Sequence, residues 1–130
     1  MHAYEVAEAL PAISAALKAA GEPSRLRILK ALEDGELCVC HLVTMLGLTQ
    51  PTVSRHVAAL RAAGLVAERR EGRWSYFRLE PAAAFLGRIL DAIRSSGRGD
   101  PVFAEDRARA AEFRKVPVDE FCSAVRGKCK

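Results

Sequence analysis

Val6, Leu10, Ile13 and Leu17 recur at steps of four, three and four, the repeat that lines one face of an α-helix. Pro11 lacks an amide hydrogen and so marks the first turn of the ordered helix, which Gly21 ends. A second helix starts around Pro23 and Ser24, where proline suits the first turn, buries Leu26, Leu29 and Leu32, and stops at Gly35. After "ELCVCHL" a short helix, with Leu42 and Leu46 four apart, closes at Gly47. The next helix opens at Thr49 with Pro51 in its first turn, buries Val53, Val57 and Leu60, and ends at Gly64.

The period then changes from helical to alternating. "LVAERREGRWSYFRL" reads as two strands joined by a tight turn at Glu71 and Gly72, with Ser75, Phe77 and Leu79 on one face and Trp74, Tyr76 and Arg78 on the other. Beyond Pro81, Phe85, Leu86, Ile89, Leu90 and Ile93 give a helix an apolar face broader than one small core requires. "SSGRGDP" is a linker, and a charged helix follows that ends before Pro117. The class expected is therefore mainly α with a small β-hairpin wing. Two short helices, a glycine-bounded turn and a hairpin make a winged helix-turn-helix. Residues 1–95 form its DNA-binding and dimerisation domain, and residues 96–130 a helical extension with a cysteine-containing tail.

Composition narrows the picture. At 130 residues, 28% charged and 50% hydrophobic, the chain builds one modest core, so leftover apolar stripes on terminal helices point to a homodimer. The net charge of +4 is uneven: six arginines face three glutamates between residues 49 and 80, a basic patch that suits a polyanion. The first twenty residues lack a basic start, and no apolar run is long enough to span a membrane. A cytoplasmic location follows, and there Cys38, Cys40, Cys122 and Cys129 stay reduced.

With Val53, Val57 and Leu60 buried, the outward residues at the start of their helix are Thr49, Gln50, Thr52, Ser54, Arg55 and His56, all able to bond base edges or phosphates of operator DNA. Arg69, Arg70 and Arg73 on the wing reach the backbone or minor groove and add affinity with little sequence information. The C-x-C pair is different chemistry. Residues two apart on a regular helix point about 200° apart, so Cys38 and Cys40 share an ion only where the backbone is extended or unwound, and binding would distort the helix start. The alternative is two small buried apolar residues. His41 offers a further ligand or a polar helix residue, and His2 sits at the terminus.

"EPSRLRILKAL", "ELCVC", "LTQPTVSRHVAALRAAGLV" and "RREGRWSYFRL", within residues 17–80, together resemble the ArsR/SmtB family of metal-responsive repressors. The resemblance implies a homodimeric winged-helix repressor that holds an operator when metal-free and releases it when As(III) or Sb(III) binds. It is strongest to the arsenic-responsive branch, whose motif resembles ELCVCDLC. Cys38 and Cys40 match its first two sulfurs, while His41 stands for the acid and Val43 for the third cysteine. Trivalent arsenic takes three thiolates, so a sulfur is missing, and Cys122 and Cys129 supply the candidates. Cys122 is favoured because Phe121 can dock beside it, whereas Cys129 lies one residue from a free end. Zinc-sensing relatives place Asp and His ligands on the helix after the wing, and only Asp91 stands there, so zinc is not expected.

Two other classes compete. One is a regulator of the same fold switched by thiol oxidation. The other is a thiol oxidoreductase or metal carrier, against which the recognition helix and arginine wing both count. With no Ser/His/Asp set, phosphate-binding glycine loop or paired-carboxylate cleft, and no organic cofactor implied, the expectation is not an enzyme.

Overall fold

The computed structural model describes residues 9–124. The elements are α1 (Ala9–Ala20), α2 (Pro23–Ala31) with a 3-10 turn (Leu32–Asp34), β1 (Leu37–Cys38), α3 (Val39–Leu46), α4 (Gln50–Ala62), β2 (Val66–Glu71), β3 (Trp74–Leu79), α5 (Ala84–Arg94), α6 (Pro101–Phe113) and α7 (Val118–Ala124). The expected class holds: helices surround a core, and a small antiparallel sheet forms the wing.

The stripe of Leu10, Ile13 and Leu17 on α1 faces outward, not into the core. Ala16, Ala19 and Ala20 face the core, while Leu10, Ile13 and Leu17 remain 81%, 40% and 56% exposed. Alanine lets α1 lie close against α2 and α4, and the larger side chains are left as an outward apolar face. Val6 lies outside the described residues.

α2 is capped by Glu22, whose carboxylate accepts the Arg25 N–H at 2.9 Å. Its core face is Ile28, Leu29, Ala31 and Leu32; Leu26, expected inside, is half-buried. α3 and α4 form the helix-turn-helix. Gly47 closes α3 at φ 68°, a left-handed conformation that glycine adopts without strain. Thr49 caps α4, accepting the Thr52 N–H at 3.4 Å, with Pro51 in the first turn. Val53, Val57 and Leu60 are buried as expected.

In the hairpin Glu71 still pairs with Trp74, so the two-residue loop is Gly72 and Arg73, one position beyond the expected turn. Gly72 takes φ 62° there, as the tight turns that match strand twist require. Sequence pattern gave no hint of β1, which pairs with β3 through Leu37↔Phe77 and Cys38↔Tyr76 to give the order β1-β3-β2. A two-residue strand is too short to show an alternation.

On α5, Leu86 and Leu90 are buried while Phe85, Ile89 and Ile93 are only partly covered. α6 packs on α2 and α3, with Ala110 in the common core. Its arginines grip backbone carbonyls: Arg109 reaches Met45 O and Thr44 O at 3.2 and 3.1 Å, and Arg114 reaches Ala31 O and Gly35 O at 3.0 and 2.6 Å. Buried Asp106 accepts two bonds from the Arg27 guanidinium at 2.8 and 2.9 Å. The extension is thereby fastened to the helix-turn-helix. No helix among the described residues is long and apolar enough to cross a membrane.

Candidate sulfur site and nucleic-acid interface

The sulfur site begins with a change of backbone state. Cys38 ends β1 and is the N-cap of α3, at φ −76° and ψ 156°, so it is extended while Cys40 is already helical. The 200° separation of a regular helix is thereby removed, and the two Sγ atoms lie 3.1 Å apart. The expected distortion at the helix start is corrected accordingly: the fold provides the extended cysteine before any ion arrives, because β3 pairs with it at Tyr76.

A third sulfur completes the group. α7 follows α6 back across the start of α3, Phe121 docks in the core, and Cys122 Sγ comes within 2.8 Å of Cys40 Sγ. All three Sγ atoms lie within 4.8 Å of one another, and all three residues are buried. The tail therefore returns to α3 of its own chain. Cys38 and Cys40 are free thiols, as expected, but Cys122 is disulfide-bonded, which corrects the expectation that it stays reduced. Cys129 lies outside the described residues, and so does His2.

The pair of free thiols shares a proton. The Cys40 S–H donates to the Cys38 sulfur, which outweighs the opposing effect of burial; the amides of Cys40, Val39 and Ser75 assist, and the Cys38 thiol is lowered to about 7. Cys40 is pushed up, first by holding that shared bond and then by burial and the neighbouring charge. Near neutrality one sulfur of the pair is thus available as a thiolate, the nucleophilic and ligating form.

His41 is not the polar helix residue expected. It is buried, its Nδ1 accepts the Cys38 N–H at 3.0 Å, and its Nε2 is buried without a hydrogen-bond partner. Burial, helped by the positive Arg114, lowers it to about 4 and keeps the ring neutral. It is not one of the residues whose ligand atoms cluster with the sulfurs. A signal for this role stood in the sequence: His41 is three residues after the N-cap Cys38, where a side chain reaches back to the cap N–H.

On the recognition helix α4 the outward residues divide. Thr49 and Arg55 are exposed, and Gln50, Thr52 and Ser54 are partly so. The Thr52 hydroxyl bonds Thr49 and accepts from Arg55 at 3.3 Å, so the first turn presents a linked polar edge. His56 departs from the expected DNA-facing set: its Nδ1 accepts from the Arg25 guanidinium at 3.1 Å, and it faces α2. The wing divides as well. Arg70 and Arg73 are exposed, with Arg73 4.7 Å above the Trp74 ring. Arg69 is instead committed to Glu36 and Glu71, at 2.5 and 2.6 Å, and lies over Tyr76. The Glu36–Arg69 bond ties the residues just before Cys38 to the wing, a link no local motif could announce.

A helix-turn-helix with a wing, a polar recognition edge and exposed arginines at the wing tip defines a DNA-binding transcription regulator, here carrying three buried sulfurs beside its reading head. Residues 22–68 match the model of the bacterial regulatory protein arsR family. The chain is 43% identical over 106 residues to the arsenic resistance transcriptional regulator ArsR1 of Pseudomonas putida, covering 78% of this chain and 77% of that one. It is also 43% identical over 76 residues to the arsenical resistance operon repressor of Escherichia coli, covering 57% and 65%. Among solved structures it resembles the homodimeric winged helix-turn-helix domain of Mb0332 from Mycobacterium bovis, a possible ArsR-family regulator, with TM-score 0.60 and 31% identity over 72% of this chain and 85% of that one. The chain belongs to the ArsR family of transcriptional regulators.

Proposed function

We propose that this chain is a repressor that binds operator DNA as a homodimer and lets go when As(III) or Sb(III) is held by Cys38, Cys40 and Cys122. The observation that carries the reading is the buried group of three sulfurs, within 4.8 Å of one another, with no His, Asp or Glu ligand atom among the described residues joining it. Soft thiolates in a set of three suit a trivalent metalloid whose lone pair occupies the fourth direction, whereas structural zinc takes four ligands. Arsenous acid brings three hydroxides. Cys122 must first be freed from its disulfide by a dithiol reductant, which supplies two electrons and two protons and leaves as its own disulfide. Each of the three thiols then forms an As–S bond and gives its proton to one departing hydroxide, so three bonds form and three waters leave; where Cys38 is already a thiolate, the hydroxide it displaces takes its proton from solvent.

Release requires the site to move the reading head. β1 is hydrogen-bonded to β3 of the wing, and Glu36 holds Arg69, so a shift of Cys38 toward the ion is felt by the strand pair whose tip carries Arg70 and Arg73. Thr49, Gln50, Thr52, Ser54 and Arg55 would read the major groove, and the two wing arginines the backbone. The second copy would cover Leu10, Ile13 and Leu17 together with Phe85, Ile89 and Ile93. Such a protein works in the cytoplasm and catalyses nothing.

Fluorescence anisotropy on the DNA upstream of its own gene, titrated with arsenite, antimonite, cadmium and zinc under reductant, tests binding and induction together. Release by arsenite and antimonite at far lower concentration than by zinc supports the reading; indifference to both metalloids overturns it.

A second reading, a thiol switch, draws on the disulfide state of Cys122 beside a low-pKa Cys38. Oxidant would then release the operator with no metalloid present. A protein that responds to arsenite only when fully reduced argues against it.

A further inference from the structure

We infer that His41 is the positioning residue that docks α7, and with it Cys122, onto the Cys38–Cys40 pair; this rests on the three-sulfur reading above. His41 works at both of its faces. Its Nδ1 accepts the N–H of Cys38 at 3.0 Å and so fixes the first cysteine at the helix start. Its ring stacks on Phe113 with centroids 5.8 Å apart and meets the Phe121 ring edge-on at 4.7 Å. Phe113 and Phe121 themselves meet at 4.9 Å, so three rings from α3, from the end of α6 and from α7 form one cluster. Phe121 is the neighbour of Cys122, and the ring cluster decides where that sulfur sits.

The cost of this arrangement shows that both faces are used. A buried imidazole leaves Nε2 without a hydrogen-bond partner, a penalty that an ordinary core residue would avoid. Phenylalanine would fill the ring site without the orphan atom but could not accept the Cys38 N–H. Aspartate could accept it but has no ring for Phe121. Histidine alone among the twenty does both as a neutral ring of that size. Of the polar side chains that fasten the extension, Arg109 and Arg114 grip backbone carbonyls, and Asp106 and Arg107 pair with Arg27 and Asp34, none with a cysteine.

Two variants separate the faces. His41→Asp keeps an acceptor for Cys38 N–H and removes the ring; His41→Phe keeps the ring and removes the acceptor. Hydrogen exchange followed by mass spectrometry, on the full metal-free chain under reductant, reads whether residues 118–124 stay protected, with protection of α2–α4 as the check on folding. In His41→Asp those residues are expected to lose protection while α2–α4 keep theirs, and the arsenite affinity, read from the near-ultraviolet As–S absorbance, to fall at least about tenfold toward that of Cys122→Ser. In His41→Phe residues 118–124 are expected to stay protected, and arsenite affinity to fall less than in His41→Asp. Protection of 118–124 unchanged in His41→Asp, or lost equally in both variants, would overturn the inference. If the parent itself gave no arsenite signal, the metalloid reading would fail while the exchange result still judged the docking role.

Discussion

The two ends of α3 are built on opposite plans. At its C-terminal end the carbonyls of Thr44 and Met45 are taken up by Arg109 and Arg27, Asp106 neutralises Arg27 from beneath, and Gly47 closes the turn into the recognition helix. The carbonyls there have donors, and Arg27 is paired with Asp106. At its N-terminal end two thiols share one proton, a third sulfur arrives from residues 82 positions away, and a buried histidine carries an unpartnered nitrogen. One end is finished and rigid, and the other is held together by weak donors that a soft ion could replace. The same short helix therefore anchors the reading head and offers it a place to be disturbed. The sulfur end is joined to the wing by β1 and the other end to α4 by one turn, so under the proposed function a change at the first would move the wing and α4 relative to each other.

If that division is right, substitutions at the two ends fail differently. At the loose end, Cys38→Ser and Cys40→Ser should abolish arsenite-driven release while operator affinity in the absence of arsenite stays within about twofold, as anisotropy would show; serine is a hard ligand that cannot replace the thiolate. At the rigid end, Asp106→Ala should leave a partly buried arginine without its partner and cost about 3 kcal/mol in urea unfolding, and operator binding should weaken with it.

The pH response sharpens the contrast. His41 is held near 4 in the folded chain against an ordinary 6.5. Between those values the unfolded state binds the extra proton, so stability should be full above about pH 6.5 and drop as the pH falls toward 4, by about 3 kcal/mol. His41→Phe should flatten that part of a urea-midpoint profile, and an unchanged acid slope in the variant would assign the loss elsewhere. Cys38 ionises at lower pH than an ordinary thiol: thiolate absorbance at 240 nm should rise through a midpoint near 7, and Cys40→Ala, by removing the donor, should shift it upward. The smallest effect belongs to the wing. Arg73→Ala should weaken all DNA sequences alike and reduce the slope of log affinity against log salt by about 1.

Much of this was legible along the chain because the helix-turn-helix is local. Val53, Val57 and Leu60 fall at helical spacing behind a Thr cap, and Arg70 and Arg73 follow an obvious hairpin, so period and turn chemistry sufficed. What was hidden depends on packing across long separations. α1 carries both an alanine face and a leucine face; the helical period marked the leucine face, and only packing shows that the alanine face turns to the core. β1 exists only because β3 is there to pair with it. His56 and Arg69 looked outward by position, yet Arg25 turns His56 toward α2 and Glu36 and Glu71 hold the Arg69 guanidinium. The sulfur count pointed to the tail, and the docking of Phe121 beside Cys122 was readable as an apolar residue in a charged segment. Nothing in the residue pattern could show that His41, standing where the related motif has an acid, would close the ring cluster around it.

The central claim is that the two cysteines of the motif and one from the tail hold a single metalloid. X-ray absorption at the arsenic edge, on the reduced chain loaded with one arsenite, counts the sulfurs directly. Three sulfurs in the parent and two in Cys122→Ser, with oxygen in the vacated position, is the expected result. Two sulfurs in the parent, or three retained in Cys122→Ser, would contradict it.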